Sequence, residues 1–318
     1  MDAHRPVVLF IAGIGRSGST LLDRVLGTLP GIQSLGEVVH LWQRGVVADE
    51  TCGCGRPFHA CSFWESVGTK AFGGWRAIDV PAVEAMKAAV DRTRFVPLLA
   101  APRLGPGFPS KVAAYAEVLG KVYAAAAEVS GASVLVDSSK HVSTAYLLRH
   151  VPGVDVRVVH LVRDPRGVAY SWTKELERPE AGPGGMMARY SPVRSSLYYL
   201  MQNTMLEALA LSRTPRLRMR YESFVAEPRT QVSRVLDLVG MPGADLGHIE
   251  QAAVELSPNH NIGGNPMKLR SGTTALCRDD AWRTELPAGD RRLVSILTWP
   301  LRLGYGYWGA PDHAGRAT

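Results

Sequence analysis

The sequence predicts a three-layer α/β fold, in which a mainly parallel central sheet is flanked by helices. Two observations lead to this prediction: short apolar runs recur at 7–12, 32–38, 133–137 and 156–162, and helical patterns lie between them. This alternation is typical of parallel sheets, because a crossover helix returns the chain to the edge where the next strand begins. Ligands of such sheets bind at the carboxyl ends of the strands, so the residues after each apolar run are candidates for a site.

Helical spacing of apolar residues supports the crossovers. The segment "STLLDRVLGTL" directly follows the first predicted strand, and the alanine-rich "YAEVLGKVYAAAAEV" (115–129) precedes the third. The segment "HVSTAYLLRHV" (141–151) follows the third strand. The segment that follows the fourth strand, "PRGVAYSWTKEL", begins with a proline, which is favoured in the first turn of a helix. A further amphipathic pattern at 195–212 predicts a long helix that contributes to the core.

Length, composition and charge limit the classes of protein to be considered. The chain has 318 residues, 46% of them hydrophobic and 20% charged, with a formal net charge of +7. Its basic residues stand singly near strand ends and glycines, which favours a small polyanionic ligand over nucleic acid. No apolar stretch reaches the roughly 20 residues of a membrane span, and the N-terminus lacks a secretory-signal pattern. We expect a cytoplasmic protein with a single domain over 1–309 and a disordered tail at 310–318, and the sequence carries no sign of its oligomeric state.

The turn after the first strand, "GIGRSGSTLL" (13–22), has the outline of a phosphate-binding loop. Gly13, Gly18 and Thr20 match the pattern G-x-x-x-x-G-K-[ST], but Ser19 replaces the lysine and Arg16 stands three residues earlier. Glycines at such a turn let backbone N–H groups and the positive end of a helix approach an anion. No metal-binding aspartate ends the strand "VVHLV". The sequence therefore predicts a P-loop NTPase-like fold that binds a phosphate other than that of a metal-bound triphosphate.

A second group of basic residues follows the fourth strand. In "HLVRDPRGVAYSW", Arg163 stands at the strand end and Ser171 follows eight residues later, about two helical turns on. Arg166 could join them, and "NPMKLRSG" (265–272) supplies Lys268 and Arg270. Two anion-binding places on one sheet predict a nucleotide that is phosphorylated at both its 5′ and 3′ positions.

Four motifs, in this order, resemble those of the sulfotransferases that use 3′-phosphoadenosine-5′-phosphosulfate (PAPS). They are the loop "GIGRSGSTLL", the element "LVRDPRGVAYSW", and the later segments "RYESFVAEP" (220–228) and "GNPMKLRSG" (264–272), which are similar to those of bacterial and tyrosylprotein-type members. The resemblance covers about residue 7 to about residue 285. It implies PAPS as the donor and transfer of its sulfonyl group to a hydroxyl or amine of a small-molecule, glycan or lipid acceptor, with no metal required for the chemistry.

The resemblance also implies roles for individual residues. The residues implied to hold the 5′-phosphosulfate are Gly15, Arg16, Ser17, Gly18, Ser19 and Thr20. The residues implied to hold the 3′-phosphate are Arg163, Ser171, Arg270, Ser271 and Gly272, with Lys268 as the alternative to Arg270 for the last contact. Tyr221 is implied to lie near the adenine.

The acceptor must lose a proton, so a base is needed within hydrogen-bond reach. Glu37 in "IQSLGEVVH" follows the second strand, and in the carbohydrate and tyrosine branches of the family a glutamate in this setting is the base. His40, His141 and His260 are alternatives, although none stands in the H-x-D pattern of the branch that uses histidine; His260 is also a candidate for the acceptor side. Lys140, at the end of the third strand, could stabilise charge in the transition state or be a plain surface lysine.

One cluster has no place in this scheme. Cys52, Cys54, His59 and Cys61 lie within "TCGCGRPFHACSFW" and are potential zinc ligands, but their spacing lacks the usual pair of separated knuckles. A disulfide from Cys61 to Cys52 or Cys54 is a second possibility, and a reduced loop that packs its aromatic residues is a third.

The acceptor cannot be identified from the sequence. Trp42, Phe63, Trp64 and Trp75 lie in the region expected to bind it and are compatible with a sugar, a lipid headgroup or an aromatic metabolite. Two rival functions remain: a P-loop kinase of a small metabolite in which Arg16 replaces the lysine, and a nucleotide-binding protein without catalytic activity.

Overall fold

A five-stranded parallel sheet forms the centre of the structure, with its strands in the spatial order 32–36, 134–140, 7–13, 155–162 and 216–220. The structure is a computed structural model, and it describes residues 5–177, 185–250 and 252–307. The predicted tail at 310–318 and the last two residues of the predicted domain lie outside this part of the chain. A separate antiparallel pair, formed by residues 253–256 and 272–275, lies beyond the sheet in sequence. The predicted α/β class with a mainly parallel sheet is confirmed.

The four predicted strands are confirmed, with ends shifted by up to three residues. The strands are β1 (Val7–Gly13), β2 (Ile32–Gly36), β3 (Val134–Lys140), β4 (Asp155–Val162), β5 (Arg216–Arg220), β6 (Ala253–Leu256) and β7 (Gly272–Ala275). The sequence analysis did not identify β5, whose sequence "RLRMR" alternates charged and apolar residues. Arg216 and Arg218 of this edge strand pair with Glu207.

The helices cover both faces of the sheet, as predicted. Their bounds are α1 (Ser19–Leu26), α2 (Ser62–Phe72), α3 (Val80–Val90), α4 (Val96–Ala100), α5 (Phe108–Ser130), α6 (Val142–Leu148), α7 (Pro165–Thr173), α8 (Pro192–Ala208), α9 (Tyr221–Ala226), α10 (Pro228–Val239), α11 (Trp282–Glu285), α12 (Ala288–Leu297) and α13 (Trp299–Gly304). The five predicted helical segments overlap, in chain order, the helices α1, α5, α6, α7 and α8.

The central strand β1 separates two apolar layers. Val8, Phe10 and Ala12 belong to the layer that includes α5 and α6, whereas Leu9 and Ile11 belong to the layer that includes α1 and α10. This alternation follows from the two-residue period of a strand. Because both faces are covered, every residue of β1 is buried, and the strand reads as a continuous apolar run.

Helix α1 anchors the late segment 257–270 through two buried side chains. The Arg24 guanidinium donates hydrogen bonds to the carbonyl oxygens of Ser257 (2.8 Å), Lys268 (3.2 Å) and Arg270 (2.7 Å). The Asp23 carboxylate accepts hydrogen bonds from side chains of β2, of β3 and of Asn261. Buried polar groups of this kind hold a position well because each lost partner leaves a costly unsatisfied atom. The segment is therefore fixed against the first crossover of the sheet.

The same segment lies directly on the end of β2. The amide of Glu37 donates to the carbonyl oxygen of Ile262 at 2.7 Å, and Gly36 forms a parallel bridge with Ile262. Gly36 has φ +76°, and a Cβ at this position would lie 2.5 Å from the Ile262 oxygen. Only glycine satisfies both the left-handed backbone and this close approach.

We predict that Gly36→Ala destabilises the fold substantially more than Gly73→Ala. Gly73 has nearly the same φ, +77°, but nothing lies within 4 Å of its Cβ position, so it controls for the backbone strain alone. Chemical denaturation should give a loss of about 1–2 kcal/mol for Gly73→Ala and at least about 2 kcal/mol more for Gly36→Ala. Equal losses would mean that the contact with Ile262 does not constrain the end of β2.

Candidate functional site

A cavity of about 540 Å³ lies at the carboxyl edge of the parallel sheet. The side chains around it come from the loop after β1, the residues after β2, the end of β3, the residue after β4, and helices α7 and α9. The sequence-predicted residues that line it are Gly15, Arg16, Gly18, Ser19, Thr20, Glu37, His40, Lys140, His141, Arg163, Ser171 and Tyr221. The fold therefore brings the two predicted anion-binding groups to one cavity.

Arg16 occupies the tip of the glycine-rich loop with a left-handed backbone, φ 73°. The Nε and Nη2 atoms of its guanidinium are buried and have no hydrogen-bond partner among the described residues. Burial lowers the pKa of this guanidinium, and the charge of Glu37 partly offsets that effect. Ser17 is fully buried rather than on the described cavity wall, and its hydroxyl also has no partner in the described part of the chain. Unsatisfied donors of this kind indicate a place for an acceptor-rich ligand.

Gly18 shapes the start of α1 and also admits an aromatic ring. It has φ +93°, and a Cβ on it would lie 2.4 Å from Cδ2 of Tyr221. The ring of Tyr221 therefore rests directly on the loop, and the Arg163 guanidinium lies over the same ring at 4.7 Å from its centroid. This stack ties the loop after β1 to the strand end of β4.

Glu37 and Lys140 form an ion pair across the cavity, in which the Lys140 ammonium donates to the Glu37 Oε1 atom. Lys140 also donates to the carbonyl oxygen of Ser138 at 3.0 Å, and its backbone is left-handed, with φ 69°. Strained backbone at such a position is typical of functional sites. Burial acts to raise the pKa of the Glu37 carboxyl, but the charges of Lys140 and His40 outweigh it and hold that pKa well below its ordinary value. Glu37 is thus a carboxylate at neutral pH.

Two of the alternative histidines lie beside this pair. The His40 Nε2 atom is 3.3 Å from the Glu37 Oε2 atom, and its ring meets the ring of His141 edge to face. Burial lowers the pKa of His141 to about 4, so this imidazole is neutral at pH 7. Both line the cavity, whereas His260, predicted on the acceptor side, does not line its described wall. The His260 ring instead stacks on Phe63, with 4.9 Å between centroids.

Arg163 reaches back to the loop after β1. Its Nη1 atom donates to the carbonyl oxygen of Arg16 at 3.0 Å, and its Nη2 atom donates to the Asp279 carboxylate at 3.1 Å. Lys174 also lies 3.5 Å from that carboxylate. Burial acts to raise the pKa of Asp279, but the charges of Arg163 and Lys174 hold it below its ordinary value. The Asp279 carboxylate thus accepts a hydrogen bond from Arg163, which the sequence predicts to bind a phosphate.

Arg166 does not join this group, contrary to the expectation from the sequence. Its guanidinium binds the Asp164 carboxylate through two hydrogen bonds, of 3.0 and 2.7 Å, and lies over the ring of Trp282 at 4.3 Å. Its position within the first turn of α7 directs it away from the cavity and into the packing of α7 on α11. Arg166 is therefore part of the structural support of α7.

The placement predicted for the last phosphate element is not found. The Lys268 side chain is buried and donates to the carbonyl oxygen of Thr51 at 2.7 Å, while the Arg270 side chain is exposed. Neither they nor Ser271 and Gly272 line the described cavity wall, because the backbone at this point is held by Arg24. From the neighbouring sequence, Gly264, Asn265 and Met267 line the cavity instead.

Several cavity residues were missed by the sequence analysis. Trp172 stacks on Tyr190 with 4.2 Å between centroids, and its Nε1 atom donates to the carbonyl oxygen of Gly15 at 3.2 Å. Lys174, Tyr198 and Asp279 also line the cavity. Trp172 directly follows Ser171 in the motif "LVRDPRGVAYSW", so its place in that motif could have identified it as a cavity residue. Asp279 carried no signal, because only the fold brings it to Arg163.

The aromatic residues expected on the acceptor side belong to the core. Trp42 and Trp64 are fully buried, and Phe63 and Trp75 are nearly so. The Trp42 and Trp75 rings meet edge to face at 6.2 Å, and the indole of Trp75 donates to the carbonyl oxygen of Trp64. None of the four lines the described cavity wall, so they cannot contact an acceptor there.

The cysteine cluster also differs from the sequence prediction. The four cysteines of the chain are free thiols in the structure. His59 points away from the others, with its Nε2 atom 2.9 Å from the carbonyl oxygen of Val46. His260 takes its place: one ligand atom each from Cys52, Cys54, Cys61 and His260 all lie within 4.8 Å of one another.

Comparisons with known proteins address the family directly. A family model described as "Sulfotransferase family" matches residues 101–245. None of the helices described between residues 5 and 307 is both long and apolar enough to pass through a bilayer.

Two solved sulfotransferase domains match the structure over most of its length. One comes from the olefin synthase of Synechococcus PCC 7002: it is 20% identical, the match covers 95% of this chain and 96% of that chain, and the TM-score is 0.48. The other comes from the curacin biosynthetic pathway: it is 17% identical, the match covers 93% of this chain and 99% of that chain, and the TM-score is 0.49. A comparison with curated proteins gave no match. The match over residues 101–245 confirms the resemblance to the sulfotransferases that the motifs predict.

Proposed function

We propose that this protein transfers the sulfonyl group of PAPS to a hydroxyl or amine of a small-molecule, glycan or lipid acceptor, with Glu37 as the general base. The observation that carries the proposal is the convergence of Arg16, Lys140 and Arg163 on one cavity that also contains the Glu37 carboxylate. The match of residues 101–245 to the sulfotransferase family model supports the same reaction class.

The cavity fits a donor that carries anionic groups at both ends. The loop residues Arg16, Ser19 and Thr20 would hold the 5′-phosphosulfate, since the guanidinium of Arg16 has buried donors that no described residue satisfies. Arg163 and Ser171 would hold the 3′-phosphate, in place of the Asp279 carboxylate that now accepts from Arg163. The rings of Tyr221, Trp172 and Tyr190 line the same cavity and offer apolar faces for the adenine.

The proposed chemistry uses charges already in place. When bound, PAPS would supply the sulfonyl group and its leaving phosphate. Glu37 would take the proton of the acceptor group through a carboxylate oxygen, which requires it to give up part of its pairing with Lys140. The Lys140 ammonium would then offer its N–H donors to the negative charge that grows on the leaving oxygen. Transfer of Lys140 from Glu37 to that charge would raise the basicity of Glu37 when it is needed.

The rival kinase and non-catalytic functions differ from this proposal in their ligands. The two carboxylates that line the described cavity wall, Glu37 and Asp279, are both paired with cations, which leaves little provision for Mg²⁺. Calorimetric titration with adenosine 3′,5′-bisphosphate and, separately, with Mg–ATP distinguishes the proposed sulfotransferase from a kinase. An acceptor screen with labelled PAPS distinguishes it from a non-catalytic nucleotide-binding protein. Tight binding of Mg–ATP alone, or no transfer to any acceptor class, would contradict the proposal.

Asp279→Asn is expected to tighten binding of adenosine 3′,5′-bisphosphate about three- to tenfold, because the carboxylate now competes for Arg163 and Lys174. Asp280→Asn is the matched control: its carboxylate pairs with Arg278 and Arg283 and does not line the described cavity wall. Calorimetry should give unchanged affinity for this control. Weaker binding by Asp279→Asn would show that Asp279 supports the site instead of competing with its ligand.

Glu37→Gln should lower kcat by about 10²- to 10⁴-fold with the acceptor found in the screen, because the amide cannot accept the proton. Binding of the bisphosphate should be no weaker than in the wild type, since a negative charge near Arg16 has been removed. Glu65→Gln, on the exposed side of α2, is the control and should leave kcat unchanged. A Glu37→Gln variant with wild-type kcat would exclude Glu37 as the base.

The pH dependence of kcat/KM distinguishes Glu37 from the neighbouring histidines. Because the pKa of Glu37 is held below its ordinary value, its base form is present at neutral pH and is lost only as the pH falls through that low pKa. We therefore expect kcat/KM to stay level between about pH 5 and about pH 7.5. An acidic limb centred near pH 6.5, the range in which a free imidazole titrates, would instead indicate a histidine as the base.

A further inference from the structure

Three cysteines and one histidine converge at a point away from the described cavity wall. The ligand atoms of Cys52, Cys54, Cys61 and His260 all lie within 4.8 Å of one another, and Cys52 and Cys61 are buried. The Cys61 Sγ atom is 3.2 Å from the Nδ1 atom of His260, which is 199 residues further along the chain. Three thiols and an imidazole that meet in this way form a complete set of four soft and borderline ligands.

The first two cysteines are presented by a small hairpin. Thr51 and Pro57 form an antiparallel bridge, and the Cys52 amide donates to the carbonyl oxygen of Arg56 at 2.8 Å. The chain reverses at Gly55, whose φ is +82° and whose amide donates to the carbonyl oxygen of Cys52 at 2.9 Å. Backbone hydrogen bonds close the turn, and the Lys268 ammonium also donates to the carbonyl oxygen of Thr51 at its start. None of these contacts uses the thiols of Cys52 and Cys54.

Helix α2 positions the other two ligands, Cys61 and His260. Cys61 immediately precedes this helix, and Phe63 stacks on the His260 ring with an interplanar angle of 18°. The indole nitrogen of Trp64 donates to the carbonyl oxygen of His260 at 2.7 Å. Both the ring plane and the backbone of His260 are thus fixed with the Nδ1 atom directed at Cys61. Such preorganisation lowers the entropic cost of binding an ion.

We propose that Cys52, Cys54, Cys61 and His260 bind a structural Zn²⁺ ion. Zinc bound to three sulfurs at about 2.3 Å and one nitrogen at about 2.0 Å would place the ligand atoms about 3.5–3.8 Å apart. The most widely separated ligand atoms, now within 4.8 Å of one another, would move closer, and the 3.2 Å between the Cys61 Sγ and His260 Nδ1 atoms would widen slightly. On binding, the three thiols release their protons to solvent and the imidazole binds as the neutral base. Four protein ligands close the tetrahedron, so this ion has no open position for catalysis and differs from a reactive metal centre.

The site would join the hairpin to the segment that supports Glu37. Next to His260, the carbonyl oxygen of Asn261 accepts the Gly53 amide at 3.0 Å, and that of Ile262 accepts the Glu37 amide at 2.7 Å. A zinc ion would therefore bind the hairpin through Cys52 and Cys54 and the segment next to Asn261 and Ile262 through His260. The ion would help to hold Glu37 in place without contacting the substrate. The proposal of a zinc site does not depend on the proposed sulfonyl transfer.

The wild-type protein gives the primary test. After purification without chelator, elemental analysis should find about one zinc per chain, and X-ray absorption should give three sulfur neighbours at about 2.3 Å and one nitrogen neighbour at about 2.0 Å. Replacement by Co²⁺ should give the visible spectrum of a tetrahedral thiolate site. Zinc-free protein that also fails to take up Zn²⁺ or Co²⁺ when reduced, or a Cys52–Cys61 disulfide found by mass spectrometry in the purified protein, would overturn the proposal.

Variants test the identity of the ligands. Cys61→Ser should lower the zinc content at least tenfold, whereas Cys277→Ser, which removes the exposed cysteine outside the cluster, should keep one zinc per chain. His260→Cys should retain zinc and change the absorption result to four sulfur neighbours, which is a readout that a merely structural histidine would not produce. Full zinc content in Cys61→Ser, or an unchanged ligand count in His260→Cys, would place the ion elsewhere and contradict the assignment.

Discussion

The site depends on the compensation of positive charge that the fold concentrates at one edge of the sheet. Arg16, Lys140 and Arg163 face the same cavity, and they would repel one another without counter-charges. Glu37 accepts from Lys140 and Asp279 accepts from Arg163, so two carboxylates now supply that compensation. Partly buried ion pairs gain little over their desolvation cost, and they are therefore readily exchanged for an anionic ligand that offers the same cations better geometry. Each feature of the proposed reaction follows from such an exchange.

The architecture explains why these charges can be close together and still be held apart. The parallel strands β1, β3 and β4 end side by side, and each delivers one cation from its carboxyl end. The stack of Arg163 on Tyr221, and of Tyr221 on Gly18, ties together the two groups of residues that are proposed to bind anions. On the other side of the cavity, Arg24 holds the segment 257–270, and Ile262 of that segment holds the backbone of Glu37.

The sequence predicts those parts of this arrangement that are local. Strand β1 is a continuous apolar run because both its faces are covered, and Arg16, Glu37, Lys140 and Arg163 reach the cavity because parallel strands end at one edge. The strand at 216–220 was missed because edge position lets arginines alternate with apolar residues and pair with Glu207. Lys268 was misplaced because order along the chain does not tell which way a side chain turns, and here it turns inward to Thr51. The approach of His260 to the cysteines, like that of Asp279 to Arg163, is a tertiary contact that no local spacing encodes.

The most direct measurement for the central claim is the position of adenosine 3′,5′-bisphosphate in a crystal of the protein. The account predicts the 5′-phosphate on the loop around Arg16, in contact with the guanidinium nitrogens that now have no described partner. It predicts the 3′-phosphate on Arg163 and Ser171, with the Asp279 carboxylate displaced from Arg163. A nucleotide bound with only one phosphate in the cavity, or with the Arg163–Asp279 pair intact, would contradict the claim that this edge of the sheet is built for a doubly phosphorylated adenosine.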